Sequence, residues 1–310
     1  MPGSNPLLPD PILHDRLKRA HLSLSGLSIG DAFGELFFCQ NPEEANRRRE
    51  LPPGPWPYTD DTVMAISIVE VLERAGKIDP DLLGERFAAR YFQEPGRGYG
   101  HAAHDVLAAI GAGQPWRQAA TSLFGGEGSM GNGGAMRAAP IGACFADDIE
   151  AAADNGRLSA MVTHAHPEGQ AGAMAVAVAA AVVATQRAEE LRADRGRAMF
   201  ETVIEFTPAG PTRDGLVLAM NLPAETSIAA AVAELGNGSR VMSPDTVPFA
   251  IWCAARHLDD YKEALWNTVS GLGDRDTTCA IVGGIVSLAG EGVPAEWCEL
   301  AEKVSFVVGK

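Results

Sequence analysis

Positive charge is scarce in this chain. Its 25 Lys and Arg face 40 Asp and Glu, for a formal charge of −15 and a pI near 4.9. That deficit argues against a phosphate-tracking surface, which needs clustered cations, so no nucleic-acid partner is expected. Cysteine is scarce too. Five occur, at 39, 144, 253, 279 and 298, an odd number with no C-x-x-C spacing. Neither a disulfide framework nor a zinc knuckle is suggested, which points to a reducing compartment. Long hydrophobic runs are missing. The most apolar stretch, Gly172 to Thr185, is too short to span a bilayer and reads as a buried helix. The opening MPGSNPLLPDPILHDRLKRA lacks the apolar core of a signal peptide. A cytoplasmic monomer without a membrane partner is expected. Strand signals are few as well.

Helical periodicity fills the space those absences leave. Apolar residues are 46% and charged residues 21%, the balance of a folded globular chain. Frequent Ala favours helices that approach closely. Between Ile12 and Leu36, Leu13, Leu17, Ala20, Leu24 and Leu27 recur mostly at three- and four-residue spacings. The same reading predicts helices over 63–72, 81–91, 101–110, 135–145, 168–186, 188–206, 227–235, 244–257, 260–268 and 277–289. Turns such as Gly236-Asn237-Gly238 separate them. The expectation is one all-α domain over residues 1–310, a compact multi-helix orthogonal bundle with residues 1–11 as a flexible tail.

Two acidic clusters stand at predicted helix starts: Tyr58-Thr59-Asp60-Asp61-Thr62 and Gly273-Asp274-Arg275-Asp276-Thr277-Thr278. Each could simply cap its helix, since Thr and Asp accept bonds from free N–H groups at the positive dipole end. Yet adjacent carboxylates repel, and a cap does not need both. Together the clusters make a hard, oxygen-only donor set that suits Mg²⁺, Mn²⁺ or Ca²⁺ and not zinc. They lie at opposite ends of the chain, so only the fold can join them. A Gly-rich run, Gly125 to Gly134, opens the 135–145 helix, and Gly96-Arg97-Gly98-Tyr99-Gly100 precedes the His101 helix. Glycines let backbone N–H groups approach an anion at a helix N-terminus, and two such loops suit a diphosphate. The alternative is that both are plain loops. Thr163-His164-Ala165-His166-Pro167 offers two imidazoles for a metal, a substrate or a structural bond. Asp31 and Glu35, four apart in Gly30-Asp31-Ala32-Phe33-Gly34-Glu35, share a helix face that meets solvent or a pocket.

In this order the motifs GLSIGDAFG, YTDDTVMA, GRGYG, GSMGNGGAMRAAPIG, THAHPE and GDRDTTCAIVGGI resemble the ADP-ribosylglycohydrolase family, from Gly26 to Ile285. The resemblance implies an all-α hydrolase with two Mg²⁺ or Mn²⁺ ions. Their ligands would be Thr59, Asp60, Asp61, Asp274, Asp276 and Thr277, and Asp60 and Asp61 would also be catalytic. ADP-ribose would be held by Asp31, by the Gly98-Tyr99-Gly100 loop, by Gly128, Ser129, Met130, Gly131 and Asn132, and by His164. The substrate would be an ADP-ribosylated protein or a small ADP-ribose conjugate, and the product ADP-ribose. Where the family often carries a Glu after its first motif, this chain has Phe38. Either Glu35, about one turn away, takes over its acid–base or metal role, or it is a peripheral carboxylate. Arg275, inside D-x-D, and Met130 also depart from the pattern. Two other readings stay open. One is a non-catalytic ADP-ribose-binding or structural protein. The other is a metal-dependent nucleotide phosphohydrolase.

Overall fold

The computed structural model describes residues 11–39, 42–186, 192–290 and 292–306. Among them the chain forms α1 (Pro11–Glu35), α2 (Pro42–Arg48), α3 (Asp60–Ala75), α4 (Pro80–Gln93), α5 (His101–Gly111) and α6 (Trp116–Thr121). There follow α7 (Ala139–Cys144), α8 (Ile149–Met161), α9 (Pro167–Thr185), α10 (Arg192–Phe206) and α11 (Pro211–Asn221). The chain continues through α12 (Ile228–Leu235), α13 (Ser243–Arg256), α14 (Tyr261–Ser270), α15 (Arg275–Val286) and α16 (Ala295–Leu300). Only two isolated bridges, Trp56 with Ala301 and Gly131 with Met242, occur among the described residues. The fold is all-α. The expected tail at 1–11 lies outside the described residues except for Pro11, which opens α1, and the start of the 188–206 helix lies outside them too.

A glycine stripe on α1 sets the closest helix pair. Gly26, Gly30 and Gly34 recur every four residues and face α15. A Cβ at Gly30 would stand 2.2 Å from the Cys279 carbonyl oxygen, and one at Gly34 2.2 Å from that of Arg275. Gly283 answers from α15, where a Cβ would stand 2.3 Å from the Gly26 carbonyl oxygen. The Tyr261 hydroxyl donates to Gly26 at 2.6 Å and Ser23 to Gly284 at 2.7 Å. Close approach maximises dispersion contact and brings the end of α1 beside the start of α15.

The Ala-rich α9 is the second core element. Its 19 residues are long and apolar enough to cross a membrane, but 72% of its most apolar window is buried inside this fold. A Cβ on Gly142 of α7 would meet the Ala177 carbonyl oxygen at 1.8 Å. An aromatic cluster closes the α1 end of the core: Phe33 stacks on Trp297 at 4.6 Å and meets Trp266 edge-on at 4.9 Å. Each such pair adds about 0.5–1.5 kcal/mol beyond its buried area.

Three differences from the expected helices matter. Helix α3 starts at Asp60, because Thr59 takes the N-cap position and the two Asp suit its positive end. The 135–145 helix is a single 3₁₀ turn, Asn132–Gly134, followed by α7 alone. Gly133 and Gly134 hold a helix poorly, and Pro140 fits best in a first turn, so the helix begins beside it. Helices α2, α6, α8, α11 and α16 went unforeseen. Asp148 caps α8, and Pro211 opens α11.

Candidate active site

Asp31 joins α1 to the start of α3. Its carboxylate is fully buried. It accepts from the Thr59 N–H at 2.9 Å, the Thr59 hydroxyl at 2.8 Å, the Thr62 N–H at 3.1 Å and the Thr62 hydroxyl at 2.5 Å. Both oxygens are engaged, and Asp31 is not on the cavity wall. The expected substrate-binding role is therefore corrected: Asp31 satisfies first-turn donors of α3 and so fixes Asp60 and Asp61 in space. Thr59 sits between Asp31 and Asp61, its hydroxyl 3.2 Å from Asp61 Oδ2, and it too lies behind the wall.

The opposite wall comes from α15. Asp274 precedes the helix with no side-chain capping bond. The capping reading thus holds for Thr59 and fails for Asp274. Its N–H donates to the Asn237 carbonyl at 3.1 Å. A Cβ on Gly238 would come 2.6 Å from Asp274 Cβ. The Gly236-Asn237-Gly238 turn, read from sequence only as a helix stop, is the seat of the second acidic cluster.

Between these walls lies a cavity of about 690 Å³. Asp60, Asp61, Asp274, Asp276 and Thr277 line it, from both ends of the chain. Gly98 and Gly100 line it at the uncapped N-terminus of α5. Gly128, Ser129, Met130, Gly131 and Asn132 form another wall, and His164 reaches it from the turn before α9. Asn132 Nδ2 donates to Asp274 Oδ2 at 2.7 Å and to Thr246 at 3.0 Å, tying the Gly-rich loop to the acids. Tyr99 is buried against Tyr91 at 5.2 Å, and its side chain is not on the wall. His166 caps α9, accepting from the Glu168 N–H at 3.1 Å.

Burial and mutual repulsion load this site. Burial, then the charge of Asp31, pushes Asp60 up to about 7. Asp61 is held well above the usual range by burial and then by Asp31 and Asp276. Burial, then Asp274, does the same to Asp276. Asp31 is raised to about 6 by burial, against the pull of its hydrogen bonds. Asp61 Oδ1 and Asp276 Oδ1 are buried without a hydrogen-bond partner. Among the described residues no three His, Cys, Asp or Glu side chains converge as a ready ligand set.

A pH dependence follows. In protein stripped of divalent cations, the folded state keeps protons on Asp31 and Asp60 that the unfolded chain loses near the ordinary carboxylate value of 3.8. Stability must then fall as pH rises from about 4 to about 7, with Asp61 and Asp276 extending the window upward. Thermal unfolding in chelator should show Tm dropping across that range, and Mg²⁺ or Mn²⁺ should restore it most at the alkaline end. A Tm that climbs through the window would contradict the arrangement.

Glu35 does not join the cluster. It is the last residue of α1, half-buried, raised by desolvation alone, and absent from the cavity wall. The four-residue spacing from Asp31 misled, because the face of Asp31 is the α1–α3 interface. Phe38 lies past the helix, 49% exposed. The Arg275 guanidinium stacks over its ring at 4.5 Å and donates to the Phe37 carbonyl. Two of the three departures from the family pattern, Phe38 and Arg275, touch each other, and Arg275 turns away from its flanking carboxylates.

Sequence reasoning missed several wall residues. Arg137 is wholly buried behind the Gly-rich loop, donating to Gly133 at 2.7 Å, Ser159 at 3.0 Å and Thr163 at 2.9 Å. Its signal was there: one cation inside the small-residue run GGAMRAAPIG. Phe124 and Val241, 64% and 55% exposed, stand at the mouth with φ of 52° and 53°. A β-branched residue in that region is a strained choice, and no sequence signal marks it.

Comparison with known proteins identifies the family and the fold. The ADP-ribosylglycohydrolase family profile matches residues 13–307. ADP-ribosylhydrolase ARH3 of Bos taurus is 28% identical over 335 residues, covering 92% of this chain and 89% of that one. The Mus musculus ARH3 is 30% identical over 278 residues, covering 79% and 73%. An uncharacterised protein of Archaeoglobus fulgidus is 28% identical over 288 residues, covering 88% of each. Among solved structures, an ADP-ribosylglycohydrolase-related protein complex superposes with a TM-score of 0.65 and 24% identity over 93% of this chain and 94% of that one, a likeness of fold. With a match that runs nearly end to end, the chain belongs to the ADP-ribosylglycohydrolase family.

Proposed function

We propose that this protein is a divalent-metal-dependent hydrolase that cleaves the ribosyl bond of ADP-ribosylated protein side chains or small ADP-ribose conjugates. One observation carries the metal. Asp61 and Asp276 line one cavity from opposite ends of the chain, and each keeps a buried carboxylate oxygen, Oδ1, without a hydrogen-bond partner. Buried unpaired charge is costly, and cations are what such oxygens lack. Mg²⁺ takes one or two carboxylates, which this donor set could supply, and keeps several waters. Asp60, Asp61, Asp274, Asp276 and Thr277 would hold two Mg²⁺ or Mn²⁺ ions. Bound there, the ions would orient ribose hydroxyls and a water and offset charge as the bond to the acceptor breaks.

The chain's own groups set the rest. Asp31 holds the first acidic pair in place, and Asn132 holds Asp274. The uncapped N-terminus of α5 presents backbone N–H groups suited to a diphosphate, while in the Gly128 to Asn132 loop the N–H groups of Gly128, Gly131 and Asn132 are already bonded to Leu123, Ser129 and Val241. The Archaeoglobus, bovine and mouse relatives span most of their length with this chain, which supports transferring the substrate class named for the ADP-ribosylhydrolases.

The test is product identification. The protein should be incubated with Mg²⁺ and ADP-ribosylated Arg, ADP-ribosylated Ser and small ADP-ribose conjugates. Free ADP-ribose is expected, and none once a chelator is added. AMP or inorganic phosphate would indicate a phosphohydrolase instead. Binding without product at every metal tried would leave a non-catalytic reader of ADP-ribose.

A further inference from the structure

We propose that Arg137 and Thr163 are positioning residues that hold His164 as a neutral imidazole with its Nε2–H directed at the cavity, as a donor to a phosphoryl oxygen of the substrate. The ligand class rests on the function proposed above; the relay itself rests on geometry.

A guanidinium only donates, so in the 2.9 Å contact between Arg137 Nη2 and Thr163 Oγ1 the threonine must accept. The threonine's one proton is then free for its other neighbour, His164 Nδ1, at 2.7 Å. Thr163 Oγ1 has no other acceptor within hydrogen-bond distance among the described residues, so its proton goes to Nδ1, which accepts that bond and carries no proton. The proton of the neutral ring therefore sits on Nε2, the nitrogen set by what its partner nitrogen does. Burial and the charge of Arg137 push His164 down to about 3, so the ring stays neutral through the physiological range.

The relay is rigid. Arg137 is buried to 0% exposure, lies 4.6 Å from the Phe87 ring, and is braced by the Gly133 and Ser159 carbonyls. Burial lowers it to about 9, which still leaves it charged at neutral pH. At the other end, His164 Nε2 has no hydrogen-bond partner among the described residues, and His164 lines the cavity. A Cβ on Gly131 or on Gly133 would stand 3.1 Å from that nitrogen. Glycine at both positions keeps the Gly-rich loop tight over the ring edge and leaves it open to a ligand. Ser129, whose hydroxyl accepts from the Gly131 N–H at 3.1 Å, stands beside it.

The consequence is a hydrogen-bond donor at an anion subsite that does not switch off as pH passes the ordinary histidine range. Long-range ¹H–¹⁵N correlation spectra of the full chain, without substrate, should give His164 the Nε2–H neutral pattern at pH 5, 6, 7 and 8. An Nδ1–H tautomer or an imidazolium in that range overturns the proposal. Thr163→Val should mix the tautomers and weaken ADP-ribose binding by about tenfold by calorimetry, the scale of one lost hydrogen bond to a charged group. In turnover the loss should fall on KM with kcat little changed. Thr163→Ser should restore both spectrum and affinity, which a purely structural role for the methyl group would not allow. Unchanged tautomer and affinity in Thr163→Val would refute the relay. If wild type bound no ADP-ribose, the functional reading would fail, and the spectra would still decide the relay.

Discussion

Asp276→Asn is expected to cut turnover on the order of a thousandfold and, in chelator, to raise Tm. The two effects have one cause. Asp276 is crowded by Asp274 and Asp31, and its Oδ1 is buried without a partner. Asparagine keeps the volume, removes a charge and offers a donor to a neighbouring carboxylate. Without cations that relieves repulsion, so the fold gains. With cations it removes a ligand, and losses of electrostatic stabilisation at reacting centres run from about a hundredfold to a thousandfold or more. Sites built for function are often unfavourable for the fold. Asp60→Asn should behave alike, because its carboxyl is also raised by its neighbours. The measurement is paired: steady-state hydrolysis with Mg²⁺, and thermal unfolding in chelator. Retained turnover, or a fall in Tm without cations, would remove the acids from the proposed metal site.

Gly30→Ala should be strongly destabilising. Its Cβ would sit 2.2 Å from the Cys279 carbonyl oxygen and 2.8 Å from the carbonyl carbon. Both are backbone atoms of α15, so no side chain can swing aside and the helices must part. Overpacking costs about 1–3 kcal/mol and occasionally more; here about 3 kcal/mol is expected, as a lower denaturant midpoint at unchanged m. The damage should reach the site. α1 carries Asp31, which fixes Asp60 and Asp61, while α15 carries Asp276 and Thr277. Separating the helices separates the two acidic walls, so the stabilisation gained from Mg²⁺ should shrink as well. Gly96→Ala is the control, since a Cβ there meets nothing within 4 Å. Equal midpoints for the two variants would show that the glycine stripe does not set this crossing.

Much of the fold was legible because helical periodicity is a local signal. Helices α1, α4, α5, α9 and α12–α14 follow from apolar spacing and their capping residues, within a residue or two. The α7 region was misread because Gly133 and Gly134 break a pattern that apolar periodicity alone continues. The site divides in the same way. Asp60, Asp61, Asp274 and Asp276 were visible as chemistry, since paired carboxylates beside hydroxyls are unusual without a cation. His164 and the Gly-rich loop were visible by motif.

The sequence by itself determined which groups are available: four crowded acids, two glycine loops, a buried-helix composition and glycines every four residues along α1. Only the tertiary structure decided which groups meet. It put Asp31 behind the wall, where donors from α3 use both its oxygens. It left Glu35 off the cavity and turned Arg275 onto Phe38. It buried Arg137 where it can steer His164 through Thr163. The reason is physical. Periodicity fixes the face of a helix on which a side chain lies, but what that face meets depends on packing between distant segments. A carboxylate facing donors and one facing a cavity have the same local sequence signature.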